Sequence, residues 1–250
     1  MSKFLPWITM GLMFILWSGL AAQYPPILLP SPMEVAQAGA ADWGKIIEAT
    51  QWTAIAAISG LVIASGIALS LAVAFTRFKW LELAITPFAV LLQTLPVIVI
   101  APLLVVWLGY GLGVSIVTAT LVCFFPLLTS THMGLSSTPR EGLALFKLHR
   151  ASWGQTLLKL RFPYALPMMF SGLRTAVGLS VIGAIVGEFV GSNGEPANLG
   201  YLSMRALRSA DTALGFAMIF AAAILALLLF TIVRLLEKKM IGPWHSGEQS

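Results

Sequence analysis

A chain of 250 residues that is 58% hydrophobic and only 10% charged, with mean hydropathy +0.89, excludes an ordinary soluble enzyme or binding module, since soluble domains carry about 25% charged residues. It reads as an integral membrane protein. The net charge of +5 is no nucleic-acid footprint, because the Lys and Arg residues sit at the ends of apolar runs. The single cysteine, Cys123, lies inside such a run. It forms no intrachain disulfide and reads as a small buried apolar side chain.

Charge-free runs set the expected spans, each needing about 20 apolar residues to cross the hydrocarbon. The first is Leu5–Ala22. A secretory signal is the rival reading there, with Lys3 as its basic end and Gly19-Leu20-Ala21-Ala22 near a cleavage site, although the apolar core runs long for one. Pro25-Pro26 and Leu29-Pro30-Ser31-Pro32 then predict an extended loop. The second run, Ala49–Thr76, carries small residues at every fourth position: Ala56, Gly60, Ala64, Ala68 and Ala72. Such a stripe lets another helix approach closely in lipid. The uncharged stretch Leu83–Pro139 is far too long for one span and predicts two, Ile85–Trp107 and Val114–Met133, with Gly109-Tyr110-Gly111-Leu112-Gly113 as the turn. The first of these carries Pro87, Gln93, Pro96 and Pro102, and the carbonyls its prolines free are tolerated beside other helices or a water-lined path. Leu166–Gly187 and Thr212–Val233 complete six spans in a single all-α domain, 1–250, with its core at 49–235 and a short tail at 235–250.

The basic residues give the orientation. Lys3, Arg77, Lys79, Arg140, Lys147, Arg150, Lys159, Arg161, Arg234, Lys238 and Lys239 fall on one side; Lys45, Arg205 and Arg208 fall on the other. Positive residues stay cytoplasmic, so both termini and the central segment 136–163 are expected inside the cell. Pro25–Glu48 and Gly191–Asp211 are expected outside.

The central segment holds the functional signal. Trp153, Leu157 and Leu160 recur at helical spacing, opposite Gln155 and Lys159, as in a short amphipathic helix. Pro163 is expected to end it, and Pro167 to open the next span. A second helix is expected over Arg140–His149. Such a hairpin can rest on lipid headgroups or be read by a soluble partner. Within the spans, Arg174 is the costly group. It lines a path for an anionic or polar solute, or it snorkels to the headgroups. Glu188 follows fourteen residues on, ~21 Å along a helix axis, and either faces the path or caps the following loop. Gln93 and Thr94 face a path or bond to a neighbouring helix. Gly183, Gly187 and Gly191 mark a close-packing stripe.

Three motifs are decoys. Gly39 to Ile46 nearly spells a phosphate-binding loop but lacks the Ser/Thr that would hold magnesium. Gly109-Tyr110-Gly111 echoes a potassium filter, but Trp107-Leu108 precede it where Thr-Val would supply carbonyl rings. His132, His149 and His245 do not cluster, and no carboxylates show metal-ligand spacing.

The segment resembles the cytoplasmic signature of the membrane subunits of binding-protein-dependent ATP-binding cassette importers, E-A-A-x3-G-x9-I-x-L-P. With Arg150 at the signature Gly, Leu160-Arg161-Phe162-Pro163 falls on I-x-L-P, while Ala144, Leu145 and Phe146 replace the Glu and the two Ala. The chain is also similar to the nitrate, sulfonate, taurine and pyrimidine-precursor branch through Leu29-Pro30-Ser31-Pro32, Thr94-Leu95-Pro96, Ala101-Pro102-Leu103, Phe124-Phe125-Pro126, Arg161 to Pro167, Ser171-Gly172-Leu173-Arg174, Gly183 to Phe189 and Pro243-Trp244.

This resemblance implies a permease of the bacterial inner membrane and not an enzyme, with a coupling segment between its fourth and fifth spans. Ala151, Ser152, Trp153, Gly154, Gln155, Leu157 and Lys159 would dock a separate ATPase subunit, which binds ATP and Mg; this chain itself would hold no cofactor or metal. A solute-binding protein would dock outside, and a second copy would complete a homodimer with the path at its two-fold axis. Arg174, Gln93, Thr94 and Glu188 are the path candidates, and the solute would be small and polar or anionic: a sulfonate, nitrate or a heterocyclic vitamin precursor. The alternative is a secondary carrier or channel using Arg174 or Glu188 as the coupled charge, but inverted repeats of the kind carriers show are not visible.

Overall fold

The computed structural model describes the backbone of residues 5–245. Expectations that rest on Lys3, or on the side chains of Pro243, Trp244 and His245, lie outside the described residues. Among those residues the chain is entirely helical.

Helix α1 (Leu5–Ala21) is an apolar rod of 17 residues. It meets the rest of the chain chiefly through Trp17, whose Nε1 donates to Pro30 O at 3.1 Å. The same ring stacks on Phe216 and Phe220. The expected extended loop after α1 is half wrong, because α2 (Pro32–Ala41) is a helix. Pro32 takes its first position, where a missing N–H costs nothing. Ser31 and Glu34 form a reciprocal capping box: Glu34 N donates to Ser31 Oγ and Ser31 N donates to Glu34 Oε2.

Helix α3 (Trp43–Arg77) begins six residues before the expected span and runs for 35 residues. Its small-residue stripe is buried throughout. The expected span Ile85–Trp107 is instead two helices, α4 (Lys79–Thr94) and α5 (Val97–Leu108), bent by 99° at Leu95-Pro96. A residue before proline is pushed out of the helical region, and Leu95 sits at φ −71°, ψ 125°. Then α6 (Leu112–Ser136) follows the expected glycine turn, where Gly109 and Gly111 take positive φ and Gly111 N donates to Gly191 O at 2.7 Å.

After α6 come α7 (Arg140–Leu148), α8 (Trp153–Thr156), a π segment (Leu157–Arg161) and α9 (Phe162–Gly191). Pro163 does not end a helix, contrary to expectation. From Trp153 to Gly191 the chain is one continuous rod of 39 residues. The π turn explains it: Phe162 N donates to Leu157 O, five residues back, which widens the ladder where the proline ring would meet a carbonyl. Pro167 lies inside α9 rather than at the start of a span. The chain closes with α10 (Leu199–Arg208) and α11 (Thr212–His245).

Among the described residues, four helical stretches are long and apolar enough to span a membrane: α3, α6, the Trp153–Gly191 rod and α11; the bent pair α4–α5 makes a fifth. The α6 helix lies at the centre, packed most densely on α9 and next on α3. The glycine stripe of α9 is the reason. A Cβ at Gly187 would overlap Thr118 Oγ1 and come within 2.6 Å of Ser115 Cα, and one at Gly183 would lie 2.7 Å from Ala119 Cα. Cys123 is buried in this seam, its Sγ 3.1 Å from Ala176 O.

Candidate coupling segment and intramembrane polar groups

The α7–α8 hairpin is built by two local devices. At the end of α7, Arg150 N donates to Lys147 O and Ala151 N donates to Phe146 O, the paired bonds of a Schellman cap. That cap needs a left-handed residue, and Arg150 supplies it at φ 51°. This is the position of the Gly in the importer signature, so the chain keeps the turn while losing the residue best suited to it. At the start of α8, Gln155 N donates to Ser152 Oγ and Ser152 N donates to Gln155 Oε1 at 2.8 Å, a second capping box.

The seven expected docking residues separate into groups. Ala151, Gln155 and Lys159, with Leu145, Phe146 and His149, line a groove of about 300 Å³. Trp153 is 38% exposed and its ring carries the Arg77 guanidinium at 5.8 Å, which ties the end of α3 to the hairpin. Ser152 is exposed, and Gly154 half-buried, on the same turn. Leu157 does not belong to this surface: it is 8% exposed and packs in the core cluster with Phe75, Leu135 and Ala165. It anchors the π segment to the bundle. Sequence reasoning missed Leu145 and Leu148, which are exposed on α7; the apolar side chains on that otherwise charged helix were the available signal. Leu160 lies against Gly142, holding α7 to the base of the rod.

The polar groups within the spans also differ from one another. Arg174 is neither alone in a path nor simply snorkelled. Its Nη1 lies 2.6 Å from Glu237 Oε2 on α11. Sequence reading missed this partner, because nothing local brings positions 63 residues apart together. Glu188, also among the path candidates, is enclosed by protein in the single chain. It is fully buried between α3, α9 and α10. Its Oε2 accepts from Gly200 N at 2.8 Å and from Thr53 Oγ1 at 3.0 Å. Thr53 Oγ1 in turn accepts from Leu199 N at 3.1 Å. These groups cap the start of α10, the alternative role its position suggested.

Gln93 and Thr94 stand exposed at the α4–α5 break. Gln93 lines a cavity of about 290 Å³ with Leu95, Ile100, Phe125, Pro126 and Leu179. Thr94 Oγ1 donates to Leu91 O at 2.8 Å. At the far end of α4, Glu82 holds Lys79 at 2.7 Å and His132 Nε2 at 3.3 Å, joining α4 to the last turns of α6.

Residues 64–242 match the family described as binding-protein-dependent transport system inner membrane component. The chain is 36% identical to the formylaminopyrimidine transport permease protein ThiX of Halalkalibacterium halodurans over 225 residues, covering 89% of this chain and 88% of that protein. It is 34% identical to a probable ABC transporter permease protein of Haemophilus influenzae over 90% of this chain and 91% of the relative. It is 34% identical to the riboflavin transport system permease protein RibX of Chloroflexus aurantiacus, over 96% of this chain and 90% of the relative.

Proposed function

Because the chain belongs to the family of binding-protein-dependent transport system inner membrane components, and so is the permease subunit of an ATP-binding cassette importer, we propose that its α7–α8 hairpin is gripped by a cytoplasmic ATPase and that the Trp153–Gly191 rod carries that motion across the membrane. The continuity of this rod is the observation that supports the reading. At ~1.5 Å per residue its 39 residues reach ~58 Å, more than the hydrocarbon thickness. A partner that moves its base moves its outer end.

Orientation follows the basic residues: the hairpin and both termini lie in the cytoplasm, and α2 and α10 lie outside. On this reading α1 is a sixth crossing, short at 17 residues but within the range that spans. The partner groove takes an apolar or aromatic anchor beside Leu145 and Phe146, with Lys159 at the rim. Two copies form the transporter, with the α4–α5 break of each facing the shared axis. Exposed irregular backbone at membrane depth is tolerated against protein or a water-lined path, not against lipid; Gln93 to Pro96 are exposed in the single chain. Gln93 and Thr94 then offer polar groups to a passing solute. Arg174 and Glu237 brace α9 against α11 beside that path. The solute is a small polar or anionic molecule, of the sulfonate, nitrate or heterocyclic vitamin-precursor class. The relatives named for a formylaminopyrimidine and for riboflavin favour the heterocyclic kind. A solute-binding protein delivers it to α10 and α2.

Co-purification tests the grip. Trp153→Asp combined with Leu148→Asp is expected to abolish recovery of the ATPase while the permease still inserts and assembles. Unchanged recovery overturns the docking assignment. ATP dependence of uptake into vesicles separates this reading from a secondary carrier.

A further inference from the structure

The start of α10 is held in an unusual way. A helix N-terminus leaves its first N–H groups without intrahelical partners, and a single local side chain or water ordinarily serves them. Asn198 plays that local part, accepting from Tyr201 N at 3.0 Å. The other two donors reach across the fold. Gly200 N binds Glu188 on α9, and Leu199 N binds Thr53 on α3. Thr53 and Glu188 are themselves bonded, so three helices meet in one chain of hydrogen bonds. All of it is buried: Thr53 and Glu188 have no exposed surface, and Leu199 has 1%. Burying a carboxylate is costly, and Glu188 Oε1 finds no partner among the described residues. An exposed Ser or Asp before α10 would cap it at far lower cost.

The packing around these bonds leaves no slack. A Cβ on Gly200 would lie 2.5 Å from Glu188 Cβ and 2.9 Å from Ile185 O, so α10 rides directly on the backbone of α9. On the opposite face of α10, Arg205 and Arg208 are exposed, while Leu207 turns toward Gly215 of α11. One face is therefore fixed to the rod and the other is open to a partner. The rod itself departs from α-helical geometry at the π segment, beside the coupling hairpin. Between Phe162 and Gly191 nothing interrupts it.

We propose that Glu188 and Thr53 form a latch that makes α10 move with the rod, so that the outer docking face and the inner coupling hairpin change position together. Glu188 is a positioning residue in this scheme and touches no solute. The latch rests on the proposed reading that the hairpin engages an ATPase and that two copies assemble. It adds that coupling at the outer end runs through these two side chains and not merely through the covalent link 192–198.

The test uses the full permease–ATPase complex in lipid vesicles, with Mg-ATP and vanadate as the trapping probe. A spin label at Arg208→Cys reports the outer face across the two copies, and a label at Glu141→Cys, exposed on α7 outside the groove, reports the hairpin; native Cys123 is buried and stays unlabelled. In the parent complex, trapping is expected to shift both distance distributions. Thr53→Val, which keeps size and removes the hydroxyl, is expected to leave the nucleotide-free distances and the Glu141 shift intact while losing part of the Arg208 shift, since Gly200 N still donates to Glu188. Glu188→Met, which removes that bond as well, should lose most of it. Glu188→Gln keeps an acceptor oxygen for Gly200 N and should retain the Arg208 shift. A parent-like Arg208 shift in Thr53→Val overturns the latch, as does equal loss in Glu188→Gln and Glu188→Met. If the parent complex shifts at neither label, it is the docking reading that fails, and the two failures are distinct.

Discussion

Two proline-bearing spans end in opposite shapes. The α4–α5 pair is bent by 99° at Leu95-Pro96. The α8–α9 rod passes through Pro163 and Pro167 without a break. The residue type is the same, so the surroundings decide. Leu95 stands in the extended region, Gln93 to Pro96 are exposed, and no tightly packed neighbour holds the chain straight there. Around Pro163 the π turn frees the ring from the carbonyl behind it, and Leu157 is clamped in the core. Farther along α9, glycines bring its backbone into direct contact with α6. On the proposed reading, the helix straightened by packing is the lever and the helix left to bend is the wall of the path.

The contrast can be broken from the side of the rod. Gly187→Val places a branched side chain where even a Cβ meets Thr118 and Ser115. Overpacking of this kind costs about 1–3 kcal/mol, occasionally more, and with two backbones in contact the upper end is expected. Thermal unfolding of the purified protein should show the largest loss of any single change here; a melting temperature within error of the parent would deny that the glycine seam holds α9 straight.

A smaller disturbance addresses the π turn. Leu158 is exposed, so deleting it removes little packing, yet it should convert the π turn to α-helix. That sets the Pro163 ring against the carbonyl four residues back and kinks the rod beneath the hairpin. Uptake is expected to fall by an order of magnitude or more while the protein remains folded. Retained uptake would mean that the hairpin's angle on the rod is unimportant.

The gentlest test sharpens the comparison by relieving strain. A non-glycine residue in the left-handed region costs about 1–2 kcal/mol, and Arg150 occupies it at φ 51°. Arg150→Gly should therefore stabilise the hairpin by up to about 1 kcal/mol, since Gly gives back part of the gain as unfolded-state entropy. Hydrogen exchange of the α7 amides should slow accordingly. Faster exchange would show that the Arg150 side chain contributes more than its backbone costs.

Much of this architecture is legible in the sequence. Charge-free runs located α3, α6, α9 and α11, and stripes of small residues found the faces that pack. The glycine cluster at 109–113 is the turn it suggests. What escapes is whatever depends on context that one position does not carry. Pro32 reads as a breaker until Ser31 and Glu34 are seen to cap the helix it begins. Pro96 and Pro163 look equivalent in the text and are not. Leu157 fits the exposed face of a 3.6-residue helix, but in the π segment it points into the core. The Arg174–Glu237 pair and the Thr53–Glu188 bond join residues 63 and 135 positions apart, beyond the reach of any local pattern.

The account stands on the hairpin being grasped from within the cell. Lys159→Cys lies exposed at the base of the rod, outside both capping boxes. A membrane-impermeant thiol reagent is expected to label it in inside-out vesicles, to miss it in right-side-out vesicles, and to be blocked when the ATPase is bound. Labelling in intact right-side-out vesicles would contradict the account directly.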